Sequence, residues 1–157
     1  MISVSGYRMV AEIHESVNSI AFQAVREADG ESVIIKVLKD EYPSPHEIVK
    51  YKREYEISQT LRTLSCIAQV LALQRQDNRL AMILEDFGGQ SLKKWLQERP
   101  FLLEEGLFVA SQAAAALAQV HEARVIHKDI NPANIVYNRE KRLVKIIDFG
   151  IATLVPR

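Results

Sequence analysis

The stretch that most constrains this chain is Ser32-Val33-Ile34-Ile35-Lys36-Val37-Leu38, a β-branched apolar run with one lysine set inside it. Ala28-Asp29-Gly30-Glu31 precedes it, and Asp-Gly between two strand-like runs is a strong hairpin signal because both residues tolerate positive φ. Residues 7–14 and 20–27 carry spaced apolar positions, so three antiparallel strands are expected at the start. Lys36 is the anomaly. A buried ammonium needs a negative partner, because leaving it unpaired costs several kcal/mol. Two readings fit: an edge-strand lysine reaching out to water, or an ion pair with an acid elsewhere in the chain.

A helix should follow, with Ser44 as cap, Pro45 at the first helical position and Glu47 completing a capping box, running to about residue 64. On it Glu54 shares a face with Ile57, Leu61 and Leu64, whereas Glu56 lies with Lys52, Arg53, Thr60 and Thr63 on a polar face. Helical geometry therefore selects Glu54 as the acid for Lys36; the plainer alternative pairs it with Lys50. Strands are expected at 67–73 and 80–84, joined by Gln76-Asp77-Asn78. Gly88-Gly89 is the best hinge candidate. Beyond it the pattern turns helical, with a short helix at 91–99 and an alanine-rich one at 103–123 that gathers Leu107, Ala110, Ala114, Leu117 and His121 near one face. Strand-like pieces at 135–137 and 143–147 finish the chain.

Composition narrows the class. The 157 residues hold 20 basic and 20 acidic side chains, so there is no basic excess for binding nucleic acid or an anionic membrane. No apolar run approaches the ~20 residues needed to span a bilayer. The single cysteine, Cys66, excludes an internal disulfide and points to a reducing, cytoplasmic setting.

Two segments carry chemistry. Val125-Ile126-His127-Lys128-Asp129-Ile130-Asn131-Pro132-Ala133-Asn134-Ile135-Val136 sets Asp129 and Asn134 in a loop between apolar runs. Further on, Val144-Lys145-Ile146-Ile147 ends in Asp148-Phe149-Gly150. An aspartate at a buried strand end suits a hard cation, which prefers carboxylate, amide, water and phosphate oxygens.

His127-Lys128-Asp129 with Asn134 resembles the catalytic loop of Hanks-type serine/threonine protein kinases, and Asp148-Phe149-Gly150 resembles their metal-binding motif. Val33-Ile34-Ile35-Lys36 is similar to the kinase strand that carries the nucleotide lysine. The elements stand in kinase order across nearly the whole chain. More narrowly, Ile83-Leu84-Glu85-Asp86-Phe87-Gly88-Gly89-Gln90-Ser91-Leu92 with the 127–134 loop resembles the N-terminal kinase domain of large bacterial hybrids, in which that domain precedes an ATPase module and a sensor histidine kinase.

The resemblance implies an α+β fold: a five-stranded antiparallel N-lobe with its helix over residues 1–86, and a hinge and incomplete helical C-lobe over 87–157. It implies ATP and Mg2+ as cofactors. Lys36 would hold the α- and β-phosphates and pair with Glu54, Asp129 would accept the substrate hydroxyl proton, and Asn134 and Asp148 would hold magnesium. Leu84 would guard the back of the nucleotide pocket, the Glu85–Phe87 backbone would meet the adenine edge, Ser16 and Ser19 would belong to the phosphate loop at His14–Ser19, and Ile13 would be a further nucleotide-binding residue. Asn131 would join the catalytic set. The implied partner is a protein substrate or a downstream signalling domain.

The pattern also departs from the family. The glycine positions of the phosphate loop are His14, Ser16 and Ser19, and all six glycines lie elsewhere. Asn131 stands where such kinases usually place a lysine, and Lys128 replaces the usual arginine. The chain stops at Arg157, before any activation segment, so the expectation is an incomplete lobe with an apolar face of the 103–123 helix left for a partner or for the missing part. The departures keep open a pseudokinase-like interaction module and, last, a small-molecule phosphotransferase.

Overall fold

The computed structural model describes residues 2–76 and 78–156, without the side chain of Gln76. The chain divides into two compact units: residues 1–55 with 69–86, and residues 56–68 with 87–157.

The first unit is built on a five-stranded antiparallel sheet in the order β1-β2-β3-β5-β4: β1 (Tyr7–Glu15), β2 (Ser19–Arg26), β3 (Ser32–Leu38), β4 (Val70–Gln76) and β5 (Arg79–Glu85). The expected five-stranded antiparallel sheet is present. β3 lies at its centre, which removes the edge-strand reading of Lys36. Alternation does the sorting along β3. Val33, Ile35 and Val37 turn to a core with Val4, Ala24, Ala81 and Ile83, while Leu38 joins Tyr51, Val70, Leu80 and Met82 on another. At the β2–β3 turn Gly30 has φ +76°, and Arg26 clasps Asp29 and Glu31. The Arg26 guanidinium, with the Glu31 backbone N–H, holds the Asp29 carboxyl below its ordinary range.

Helix α1 (Pro45–Thr60) begins with the expected capping box. The Ser44 N–H and hydroxyl donate to Glu47 Oε2 at 2.8 and 2.7 Å, and the Glu47 N–H returns a bond to Ser44 Oγ at 3.3 Å. These bonds hold the Glu47 carboxyl below the usual carboxylate range. The helix ends at Thr60 rather than near Leu64, because from Leu61 the chain closes into tighter turns, with the Leu64 N–H bonded to the Leu61 carbonyl. β4 begins at Val70 rather than at Ile67, which instead bridges in parallel to Ile146. Of the expected β4–β5 turn, Asp77 lies outside the described residues.

In the second unit, α2 (Leu92–Glu98) starts at Ser91, whose hydroxyl accepts from the Lys94 N–H, and α3 (Leu103–Glu122) lies against a small sheet. That sheet has the order β6 (Gln90–Ser91), β8 (Ile135–Asn138), β9 (Leu143–Ile146), and a second pair joins β7 (Val125–Ile126) to β10 (Thr153–Leu154). The buried stripe of α3 is Val109, Ala113, Ala116 and Val120, not the stripe through Leu107 and Ala114. Leu103 and Leu107 are 80% and 62% exposed. One core gathers Ile57, Leu61, Ile67, Ala116, Val120, Ile146 and Phe149; another gathers Val109, Ile135, Tyr137 and Val144. Among the described residues no helix is long and apolar enough to cross a membrane.

Candidate active site

Within the first unit Lys36 and Glu54 meet. Lys36 Nζ donates to Glu54 Oε1 at 2.7 Å, with side chains only 17% and 8% exposed. Tyr51, three residues before Glu54 and so on the same helical face, braces the pair. Its hydroxyl donates to the Lys36 carbonyl and accepts from the Met82 N–H, the latter at 3.0 Å. Sequence reasoning passed over Tyr51, although its i−3 spacing from Glu54 was the available signal.

The segment between β1 and β2 is a tight turn latched by two serines. The Ser16 N–H donates to the Ser19 carbonyl at 2.8 Å, the Ser19 N–H to Ser16 Oγ at 3.1 Å, and the two hydroxyls lie 2.9 Å apart. Both backbone N–H groups are thus engaged inside the turn. Ile13, on β1, is half exposed. Leu84 and Glu85 end β5, with the Glu85 N–H bonded to the Gln69 carbonyl. Asp86 accepts from Gln23 Nε2 at 2.8 Å and from the Ser32 hydroxyl at 2.6 Å.

In the second unit, buried Asn138 donates through Nδ2 to the Phe87 carbonyl at 2.7 Å and accepts the Lys141 N–H at 3.0 Å. No local cue in the sequence points to Asn138. Its role is set by the pairing of β6 with β8. Gly89 lies so close to this strand that a Cβ there would sit 2.8 Å from Val136 Cγ1 and 3.1 Å from the Asn138 nitrogen.

The loop after β7 is organised around His127 and Asp129. His127 is 1% exposed and meets the Phe149 ring edge to face at 4.8 Å. Its Nδ1 accepts the Asp129 N–H at 3.2 Å, which places the ring proton on Nε2, the atom 2.9 Å from the Ile147 carbonyl. Lys128 and Asp148 both have left-handed backbones, at φ +69° and +64°. Two amides hold the Asp129 carboxylate: Asn131 Nδ2 donates to Oδ1 and Asn134 Nδ2 to Oδ2, each at 3.0 Å. The Asn134 carbonyl in turn accepts the Ile147 N–H at 3.0 Å, joining this loop to the residue before Asp148. The Asp148 carboxylate accepts the Gly150 N–H at 3.1 Å.

The donor set suits a hard cation. Asn134 aims its nitrogen at Asp129, which turns its amide oxygen the other way, and Asp148 supplies a carboxylate. Among the described residues no three His, Cys, Asp or Glu side chains are grouped to hold a metal by themselves. A cation here would complete its shell with phosphate and water oxygens, as Mg2+ commonly does.

A strand lysine paired with a helix glutamate, a loop holding Asp129 and Asn134, and Asp148-Phe149-Gly150 behind β9 define the class: this chain belongs to the protein kinase domain family, which matches residues 7–157. It is 33% identical over 154 residues to the serine/threonine-protein kinase pkn3 of Myxococcus xanthus, covering 94% of this chain and 28% of that protein. It is 34% identical over 135 residues to the serine/threonine-protein kinase PkaA of Streptomyces coelicolor, covering 83% and 25%. To a probable serine/threonine-protein kinase of Clostridium perfringens it is 30% identical over 148 residues, covering 93% and 21%. The chain therefore spans between about a fifth and somewhat over a quarter of the length of these relatives.

Proposed function

We propose that this chain is the ATP- and Mg2+-binding portion of a serine/threonine protein kinase, working in the cytoplasm and transferring the γ-phosphate of ATP to a protein hydroxyl in a signalling pathway. The observation that carries the reading is the double tether of Asn134, whose side chain holds Asp129 while its backbone holds Ile147 beside Asp148. Lys36, oriented by Glu54, binds the α- and β-phosphates. Asn134 and Asp148 hold the cation, which neutralises charge on the transferring phosphoryl group. Asp129 orients the acceptor hydroxyl and takes its proton. Leu84 and the Glu85–Phe87 backbone serve the adenine, Ser16 and Ser19 the phosphates, and Ile13 is a further nucleotide-binding residue. Transfer of this kind depends on positioning and charge neutralisation, which a small set of residues can supply.

The test is the thermal stability of wild type and Asp148→Ala with ATP and magnesium in excess. At a hundred times Kd, binding adds about 2.7 kcal/mol, which is roughly 5 to 11 °C in Tm for a chain of this size. A wild type that does not shift overturns the reading. One alternative has its own observation: the latched, glycine-free turn at Ser16 and Ser19 would grip phosphate poorly, as in a pseudokinase-like interaction module. Phosphotransfer abolished by Asp129→Ala excludes that alternative.

A further inference from the structure

The side chain of Asn131 is held at both ends. Its Oδ1 accepts the Ala133 N–H at 2.8 Å, and its Nδ2 donates to Asp129 Oδ1 at 3.0 Å and to the Asp129 carbonyl at 3.3 Å. The Ala133 bond matters first, because it decides which end of the amide is which. With the oxygen pinned to a backbone donor, only the NH2 group can face Asp129. Asn134 reaches the same carboxylate from the other side, through Oδ2 at 3.0 Å, and it too bonds the Asp129 carbonyl, at 2.9 Å. Both carboxylate oxygens therefore accept from amides whose own positions are fixed by the loop backbone, and the carboxylate plane is set before any ligand arrives.

From this geometry we propose that Asn131 is a positioning residue for Asp129: it holds the carboxylate in its working orientation and does not itself bind phosphate. The inference rests on reading Asp129 as the group that meets the acceptor hydroxyl, and deepens that reading. Both N–H groups of the Asn131 amide are spent on Asp129, one on Oδ1 and one on the carbonyl, so reaching toward a γ-phosphate would cost one of these bonds, and probing that choice separates the two roles. A neutral amide can orient a carboxylate without leaving an unpaired charge beside it, which a residue acting chiefly on the carboxylate requires.

Two measurements on the full chain test the proposal. The first follows the side-chain amide resonances of Asn131 by 15N–1H correlation in wild type and Asp129→Ala. The resonances of Asn138, buried on β8 and bonded to the Phe87 carbonyl, serve as the folding control. The Asn131 pair is expected to move in Asp129→Ala while the Asn138 pair stays. An Asn131 pair indifferent to Asp129 overturns the proposal. The second compares Asn131→Ala with Asn131→Asp in phosphotransfer. Asn131→Asp keeps the acceptor for the Ala133 N–H and turns the donor facing Asp129 into a charged acceptor, while Asn131→Ala removes the donor without adding charge. If the donor matters, both variants lose kcat, on the order of 10²-fold for a misplaced reacting group, with KM for ATP unchanged. Wild-type kcat in Asn131→Asp would reduce the residue to a turn former, and a raised KM at constant kcat would assign it to the nucleotide; either result overturns the proposal. Should wild type transfer no phosphate by itself, as befits a portion of a kinase, the resonance measurement alone decides the Asn131–Asp129 contact and with it the proposal.

Discussion

Replacing Glu54 by glutamine leaves the shape of the Lys36 contact almost intact and removes its charge. At the observed 2.7 Å, two unit charges attract by about 6 kcal/mol at an effective dielectric constant of 20. Against this stands the desolvation of two groups that are 17% and 8% exposed, several kcal/mol for each ion. The two contributions nearly cancel. The intact pair therefore adds little to stability, while removing one partner is expensive. Glu54→Gln should lower stability by about 3 kcal/mol, the low end for breaking a buried pair because Lys36 keeps some contact with water. For a chain of this length that is roughly 6 to 12 °C in Tm. The double variant Lys36→Met with Glu54→Leu, apolar at both positions, should return to within about 1 kcal/mol of wild type. Urea unfolding followed by circular dichroism of wild type, Lys36→Met, Glu54→Leu and the double closes the cycle. If the double variant is as unstable as the two singles added together, the charges are not coupled and the argument fails.

Four further outcomes follow from the geometry. Tyr51→Phe removes the hydroxyl shared by the Lys36 carbonyl and the Met82 N–H, and unfolding curves should show a loss of about 1 to 3 kcal/mol. Gly89→Ala drives a methyl against Val136 and the Asn138 nitrogen, and the same measurement should show a loss of about 1 to 3 kcal/mol. Arg124 follows α3 with a left-handed backbone at φ +60°, so Arg124→Gly should raise stability by about 1 kcal/mol; a drop would mean that its bond to the Pro156 carbonyl outweighs the strain. Burial pushes the Cys66 thiol up. The folded state then holds that proton more tightly than the unfolded one, so stability falls as pH rises through the thiol range, and alkylation of the native protein at pH 8 should be much slower than that of the urea-unfolded chain.

What could be read from the sequence was what local rules decide. The Asp29-Gly30 hairpin, the Ser44–Glu47 box and the choice of Glu54 over Glu56 each depend on residues a few positions apart, and each appears as expected. The motifs around Asp129 and Asp148 were legible because short runs of polar residues interrupt apolar ones. Asn138 was missed because its partner, the Phe87 carbonyl, is brought to it by the pairing of β6 with β8; for Tyr51 the i−3 spacing from Glu54 marks its face, but that its hydroxyl meets Met82 follows from the pairing of β3 with β5. The buried face of α3 was misjudged because Ala113, Ala114, Ala115 and Ala116 in succession offer no contrast between one side of a helix and the other. Nor does the sequence announce the left-handed backbones of Arg124, Lys128, Arg142 and Asp148, where no glycine stands to suggest them.

Ile147 carries its importance in its peptide groups rather than in its side chain. Its N–H is bonded to the Asn134 carbonyl and its C=O to His127 Nε2, so one residue grips the loop on both sides of Asp129. An alanine scan leaves both peptide groups in place and would score this position as tolerant. Proline, or an ester in place of the amide, would cut the tie to Asn134 and let the Asp129 loop shift relative to Asp148. Part of the information that defines the site is thus written in the main chain, where side-chain mutagenesis is blind and backbone chemistry or amide hydrogen exchange is the instrument that reads it.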